Sequence, residues 1–241
     1  MKNPPQPAAA LVSVITPAWN AAETLRRAYD SLRAQECNWQ HIIVNDGSSD
    51  DTEALIRELS ANDSRIVYAS RKNGGPGAAL NTGLSLAAGD YVAFLDADDE
   101  YLPGHLSLRL NLLETTSTLD IVWGGVEVVC GPDDNGLVPD VEKGTGEIPI
   151  SECVVQGTIF GRRRVFDTLR FSEDRSVWFQ DYDLIRRAKQ LFSVGRVEFP
   201  TYRYYRNSGG SLIDRIRPEW MQKTAPGSSH RNISISPQKN N

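Results

Sequence analysis

The segment Phe94-Leu-Asp-Ala-Asp-Asp-Glu-Tyr101 sets four carboxylates, Asp96, Asp98, Asp99 and Glu100, directly behind the apolar run Tyr91–Leu95. A run of acid normally marks a solvated loop, yet Tyr91–Leu95 reads as a buried strand. Asp96 and Asp98 are two residues apart, so in extended chain they face one side and Asp99 the other. Like charges that close, at the rim of a low-dielectric core, either raise a pKa or recruit a cation. A hard divalent ion such as Mg²⁺ prefers oxygen ligands. It takes one or two protein carboxylates and completes its shell with water and substrate phosphates. On that chemistry Asp-x-Asp is half of a site, which a diphosphate would finish. Helix capping accounts for Asp99 and Glu100 but leaves Asp96, at the end of a buried strand, unexplained.

The surrounding elements must position this cluster. Residues 11–16 form a short β-branched run, hence a strand, and a helix follows over 21–35, with Asn20 and Glu23 as its capping pair. The next strand is 41–45, and the helix over 52–61 has Asp50 and Glu53 as a second pair. A third strand, 65–70, leads through a Gly-rich loop to a helix from Pro76 to about residue 88, with proline at its first turn. This strand–helix alternation predicts an α/β fold with a mostly parallel sheet flanked by helices. In such sheets ligands sit outside the carboxyl ends of the strands. The segments Thr16-Pro-Ala-Trp-Asn20, Asn45-Asp-Gly-Ser-Ser-Asp-Asp51 and the acidic cluster would then face one crevice. Each alone is ordinary turn chemistry; their convergence on one edge is the argument. Beyond them the pattern predicts a helix over 102–115 and a strand or broken pair over 120–129. A Gly/Pro/Asp-rich excursion follows over 131–147, then a strand near 157–163 and an amphipathic helix over 181–192.

Composition narrows the function. The chain has 241 residues, 24% of them charged, and a net charge of −5, which argues against a dedicated nucleic-acid binder. Residues 201–241 nonetheless hold seven Lys/Arg against two Asp/Glu, a basic end that suits a solvated tail or a peripheral membrane contact. Cys37, Cys130 and Cys153 are widely spaced and fit reduced structural thiols rather than a disulfide framework or a zinc site. No stretch approaches the roughly 18 apolar residues of a membrane span. The expected location is cytoplasmic, with contact to the inner face of a membrane left open. A Rossmann dehydrogenase would place G-x-G-x-x-G after its first strand, where this chain has Pro-Ala-Trp-Asn. Gly74-Gly-Pro-Gly77 lacks the Lys-Ser/Thr ending of a P-loop. The histidines, 41, 105 and 230, come with no G-x-S-x-G.

Taken together, residues 12–32, 42–52, 73–103 and, more loosely, 178–188 resemble the family 2 glycosyltransferases, inverting enzymes of the GT-A fold, a Rossmann-like single domain. The resemblance implies a transfer of sugar from a nucleotide-diphosphate donor, a UDP-sugar by preference, to a glycan or lipid-linked acceptor, with Mn²⁺ or Mg²⁺ as cofactor. It implies that Thr16, Pro17 and Trp19 line the nucleotide-base pocket, that Asp46 recognises the base and that Arg71 reaches the nucleotide. Asp96 matches the ribose-side aspartate of Asp-x-Asp, Asp98 the metal-binding one, and Asp181 the catalytic base. The resembling domain spans 11–217, between a leader over 1–10 and a tail over 218–241 whose polar composition and missing apolar periodicity read as disorder. Within the domain, 11–103 is the nucleotide-sugar half and 104–217 the acceptor half, whose shortness implies a shallow acceptor pocket or one completed by a partner.

Two departures stand out. Gln180 replaces the usual Glu before the base, and Asn207 stands where relatives carry a His that helps hold metal or phosphate; Arg203 and Arg206 are candidate replacements as phosphate contacts. The alternative reading is a catalytically silent nucleotide-sugar-binding module of a larger assembly. Nucleotidyl transfer would need an N-terminal Gly-rich basic loop, which this chain lacks.

Overall fold

The computed structural model describes residues 10–132 and 134–206, together with Pro218, Trp220 and Gln222. Asn207 lies outside them. The first half follows the expected alternation: β1 (Val12–Ala18), α1 (Leu25–Arg33), β2 (Trp39–Asn45), α2 (Thr52–Asn62), β3 (Ile66–Ser70), α3 (Pro76–Leu86) and β4 (Tyr91–Phe94). The second half is more broken: β5 (Glu100–Tyr101), α4 (His105–Thr115), β6 (Ile121–Trp123), β7 (Val126–Cys130), β8 (Leu137–Pro139), β9 (Glu147–Pro149) and β10 (Phe160–Arg162). It ends with α5 (Arg163–Thr168), α6 (Gln180–Leu191), β11 (Val194–Arg196) and β12 (Tyr202–Arg206).

The main sheet has seven strands in the order β11-β6-β10-β4-β1-β2-β3. β10 runs antiparallel to both its neighbours, and every other pair in the sheet is parallel. Chain order reverses between β1 and β4, which pair directly from Val12↔Tyr91 to Ile15↔Phe94. That reversal is the switch point at which open sheets form their ligand crevice.

Both faces of these strands are apolar, with alternate residues serving opposite layers. Val14, Ala93 and Leu95 pack with Ala28 and Leu32 of α1 and with Leu106 and Leu113 of α4. Ile15, Val92 and Phe94 pack with Leu80 and Leu84 of α3 and with Leu184, Ile185 and Ala188 of α6. The strand bearing the acidic cluster is therefore clamped from both sides.

Two helix starts differ from expectation. α1 begins at Leu25 rather than near residue 21 because Asn20 does not cap it. Asn20 holds a positive φ of 50° and its side-chain oxygen accepts from the Ser49 amide at 2.8 Å, stitching the loop after β1 to the loop after β2. α4 begins at His105, not residue 102, because the Leu102 amide donates to the Thr201 carbonyl at 2.8 Å and prolongs the extended stretch at β5.

The stretch 120–129 is a broken pair. Gly124 and Gly125, with φ of 107° and 76°, turn the chain out of the main sheet, and β7 joins β12 and β5 in a second sheet ordered β5-β12-β7. A Cβ at Gly125 would lie 1.9 Å from the Phe199 carbonyl oxygen. Left-handed backbone and a main-chain collision add at this position. Gly125→Ala is expected to destabilise the fold by about 3 kcal/mol or more, read as a lowered midpoint in chemical denaturation. An unchanged midpoint would show that the two sheets are not joined rigidly there.

Candidate active site

Asp96 leaves the end of β4 and enters a turn closed by the Asp99 amide donating to the Asp96 carbonyl at 3.2 Å. The turn overrides the alternation of extended chain and brings Asp96 and Asp99 onto one hydroxyl, that of Tyr202. Tyr202 Oη donates to Asp99 Oδ2 at 2.7 Å, lies 3.3 Å from Asp96 Oδ2, and receives the Asp96 amide at 3.3 Å. Asp99 is buried and also accepts from the Tyr205 amide at 2.9 Å. Glu100 accepts from Arg203 and from the Tyr205 hydroxyl. Neither acid caps α4: both fasten β12 to the turn. Arg203 is bound in turn to Glu127 at 2.8 Å and Arg206 to Asp134 at 2.6 Å, so both arginines are engaged by protein carboxylates. Arg27 of α1 donates to the Asp98 carbonyl and stacks 3.9 Å over the Tyr205 ring, which holds the turn from the other side.

Asp98 reaches solvent at the middle of this turn, and among the described residues no protein side chain donates to its carboxylate. Asp181 is the second residue of α6, with its Oδ1 accepting the Tyr182 amide at 2.8 Å. Asp96, Asp98 and Asp181 line one cavity of about 510 Å³, within the usual range for small-ligand sites. Apolar residues such as Val138, Ile148, Val155 and Trp178 form much of the rest of its wall. Trp220 braces it: this fully buried indole donates to the Gly146 carbonyl at 3.3 Å and meets the Phe179 ring edge-on at 5.9 Å. The remainder of the segment read as a disordered tail lies outside the described residues, apart from Pro218 and Gln222.

Crowding and burial raise the acids. Burial first, then the charges of Asp98 and Asp181, push Asp96 up to about 7. Burial pushes Asp181 up to about 6, held back by main-chain donors from Tyr182 and Gln156. Asp98 is raised too, by desolvation from the surrounding walls although it touches solvent.

The other expected site residues fall elsewhere. Thr16 is fully buried, with its hydroxyl 2.9 Å from His41 Nε2, beneath the crevice rather than on its surface. Pro17 is half-buried above it. Trp19 is 53% exposed, a flat apolar surface at the end of β1. Asp46 is buried and receives the amides of Gly74 at 3.0 Å and Gly75 at 2.8 Å. Arg71 pairs with Asp46 at 3.1 Å and also donates to Thr82 Oγ1 at 2.9 Å and to the Ala78 carbonyl. These two residues therefore shape the Gly-rich loop, and none of the five lines the cavity. Gln180 lies against Gly77, where a Cβ would come 2.7 Å from its amide oxygen.

Gln156 and Tyr202 escaped the sequence reading. Gln156 Nε2 donates to Asp96 Oδ1 at 2.6 Å, but it is a single polar residue in an apolar stretch, with no spacing to mark it. Tyr202 sits in a Tyr/Arg alternation that reads only as an edge strand.

Among the described residues no three His, Cys, Asp or Glu side chains gather as a complete metal cage. The donor set still fits a hard divalent cation of the kind that keeps water and substrate phosphate in its shell. Asp98 offers a carboxylate to which no side chain among the described residues donates, with Asp96 beside it.

Residues 13–208 match the model of glycosyl transferase family 2. The chain belongs to that family. An uncharacterized glycosyltransferase of Rickettsia prowazekii (strain Madrid E) is 33% identical over 187 residues, 70% of this chain and 58% of that protein. The match thus spans less than two thirds of that relative, and only 30% of another from Rickettsia felis. The Escherichia coli UDP-Glc:alpha-D-GlcNAc-diphosphoundecaprenol beta-1,3-glucosyltransferase WfgD is 32% identical over 130 residues, 53% of this chain and 49% of that one. Among solved structures, S. aureus TarS 1-349 in complex with UDP-GlcNAc superposes with a TM-score of 0.68 at 18% identity, covering 91% of this chain and 69% of that chain. The mannosyltransferase PcManGT from Pyrobaculum calidifontis, in complex with GDP-Man and Mn²⁺, gives 0.68 at 19% identity over 88% and 61%. At such identities these likenesses establish the fold, which is GT-A-like as the resemblance implied. No helix among the described residues of this family 2 member is long and apolar enough to cross a membrane.

The raised Asp181 carboxyl holds a proton in the folded chain up to about 6, whereas the unfolded chain releases it near 3.8. The native state binds more protons between those values, so this residue's contribution to stability falls as pH rises through that window. Asp181→Asn is expected to raise Tm relative to the unaltered protein at pH 8 and to show much less gain at pH 4. An equal gain at both pH values would refute burial of a charged Asp181.

Proposed function

We propose that this family 2 protein is a metal-dependent, inverting glycosyltransferase that moves a sugar from a nucleoside-diphosphate donor, a UDP-sugar, to a hydroxyl of a glycan or lipid-linked acceptor. The observation that carries the reading is the convergence of Asp96, Asp98 and Asp181 on one cavity at the carboxyl end of β4. The relatives support the substrate classes: TarS was solved with UDP-GlcNAc, and WfgD bears the name of a glucosyltransferase acting on a diphosphoundecaprenol-linked sugar. An acceptor of that kind would bring the protein to the inner face of a membrane.

The roles follow from chemistry. Asp98 would hold Mn²⁺ or Mg²⁺ together with the donor diphosphate, and the bound cation supplies Lewis-acid stabilisation of the departing charge. Asp96, half-buried at the base of the turn, faces the ribose side. Trp19 offers a surface on which a base can stack, over the loop that Asp46 and Arg71 shape. Asp181 takes the proton of the attacking hydroxyl. A carboxyl raised to about 6 is a stronger base than an ordinary one and is still mostly ionised at neutral pH. One base acting on the face opposite the leaving group gives inversion.

A screen of nucleotide sugars with Mn²⁺, reading transfer and slow donor hydrolysis together, tests the reading directly. Mn²⁺ with UDP is expected to raise Tm, and Asp98→Ala to abolish that rise. Asp181→Asn is expected to keep UDP binding and lose transfer by roughly 10²- to 10⁴-fold; undiminished transfer would remove Asp181 as the base. Transfer by the unaltered enzyme is expected to decline as pH falls through about 6, as Asp181 takes up its proton.

A further inference from the structure

Gln156 is in contact with both sides of the reaction as proposed above. Its side-chain Nε2 donates to Asp96 Oδ1 at 2.6 Å, and its main-chain amide faces the Asp181 carboxylate across the cavity that both residues line. One residue thus bridges the donor-side carboxylate and the base, although the two lie 85 positions apart in the chain.

The platform beneath it is rigid. Gln156 opens the 3-10 turn Gln156–Thr158. The Thr158 hydroxyl donates to the Val155 carbonyl at 2.7 Å and receives the Gly124 amide at 3.0 Å. The buried Arg109 guanidinium reaches both the Thr158 carbonyl, at 3.4 Å, and the Gly124 carbonyl, at 2.7 Å. Next to Gln156, the Tyr202 ring lies so close over Gly157 that a Cβ there would sit 1.9 Å from it. The same Tyr202 hydroxyl holds Asp99 and the Asp96 amide. The turn carrying Gln156 and the turn carrying Asp96 are therefore fixed to one another through Tyr202 as well as through the amide.

We propose that Gln156 is a positioning residue that sets the spacing between Asp96 and Asp181, and so aligns the donor's anomeric carbon with the acceptor hydroxyl. The proposal rests on the glycosyltransferase reading. Holding two groups from separate elements against one residue is how a site keeps reacting atoms in near-attack geometry, and a misplacement of about 1 Å costs on the order of 10²-fold. An attacking water is small and needs no such alignment. Loss of the bridge should therefore harm transfer more than donor hydrolysis.

Two variants separate reach from chemistry. Gln156→Asn keeps an amide but withdraws it by one methylene, and Gln156→Glu keeps the reach but loses the donor. Both leave the main-chain amide to Asp181 in place. Each is measured for Tm, for UDP affinity with Mn²⁺, and for the ratio of donor hydrolysis to acceptor transfer. The expected result for both is UDP affinity within about threefold of the unaltered enzyme and a rise of about tenfold or more in the hydrolysis-to-transfer ratio, most of it from a lower kcat for transfer. A purely structural role would lower Tm and both reactions together with the ratio unchanged. A role in donor binding alone would weaken UDP and leave the ratio unchanged. Either outcome overturns the proposal. Absence of both reactions in the unaltered enzyme across the donor panel would instead overturn the glycosyltransferase reading itself.

Discussion

Mutual repulsion among carboxylates at the end of β4 is the constraint around which the rest of this molecule is arranged. Asp96, Asp98, Asp99 and Asp181 meet where the sheet's low-dielectric interior opens, and burial raises every one of them. Left to itself such a cluster would splay apart or stay protonated. The fold prevents splaying by assigning each acid a separate tether. Asp99 goes to Tyr202 and the Tyr205 amide, Asp96 to Gln156, and Asp181 to the first turn of α6. Among the described residues no side chain donates to the Asp98 carboxylate, which makes it the place where a cation would relieve the field of the whole group.

The second sheet is best understood as the device that holds this arrangement. Tyr101 of β5 and Tyr202 of β12 pack into the core layer that holds Val14 and Ala93, and β5 and β7 carry the acids that bind Arg203. Its existence depends on the break at Gly124–Gly125, which releases β7 from the main sheet. The switch point of the parallel sheet makes the crevice; the small sheet determines which acids face into it.

The first half of the chain was largely legible in sequence because both of its signals are local. Apolar runs of strand length alternate with helical spacing, and loop residues mark the carboxyl ends of the strands, so the sheet and the Asp-x-Asp turn could be read from about a hundred residues. The parts that escaped depend on contacts distant in sequence. Asn20 looks like a helix cap until Ser49, 29 residues on, takes its side chain. Asp99 and Glu100 look like helix caps until β12, about a hundred residues on, claims them. Thr16 belongs to a motif whose residues sit near the crevice, but its position on the strand places its hydroxyl against His41 in the interior. Gln156 has no motif at all; its meaning comes from what the turn after β4 and the start of α6 bring to it.

Trp220 has a bearing on where this unit is taken to end. Likeness to the family stops at residue 208, yet a side chain twelve positions later closes the angle between the β8–β9 hairpin and the residue that precedes α6. Homology therefore undercounts the folded unit. A boundary drawn at the last recognisable motif would strip the brace from the cavity wall while leaving every motif residue intact, so a protein trimmed that way keeps its sheet yet loses the support of the wall facing Asp96, Asp98 and Asp181.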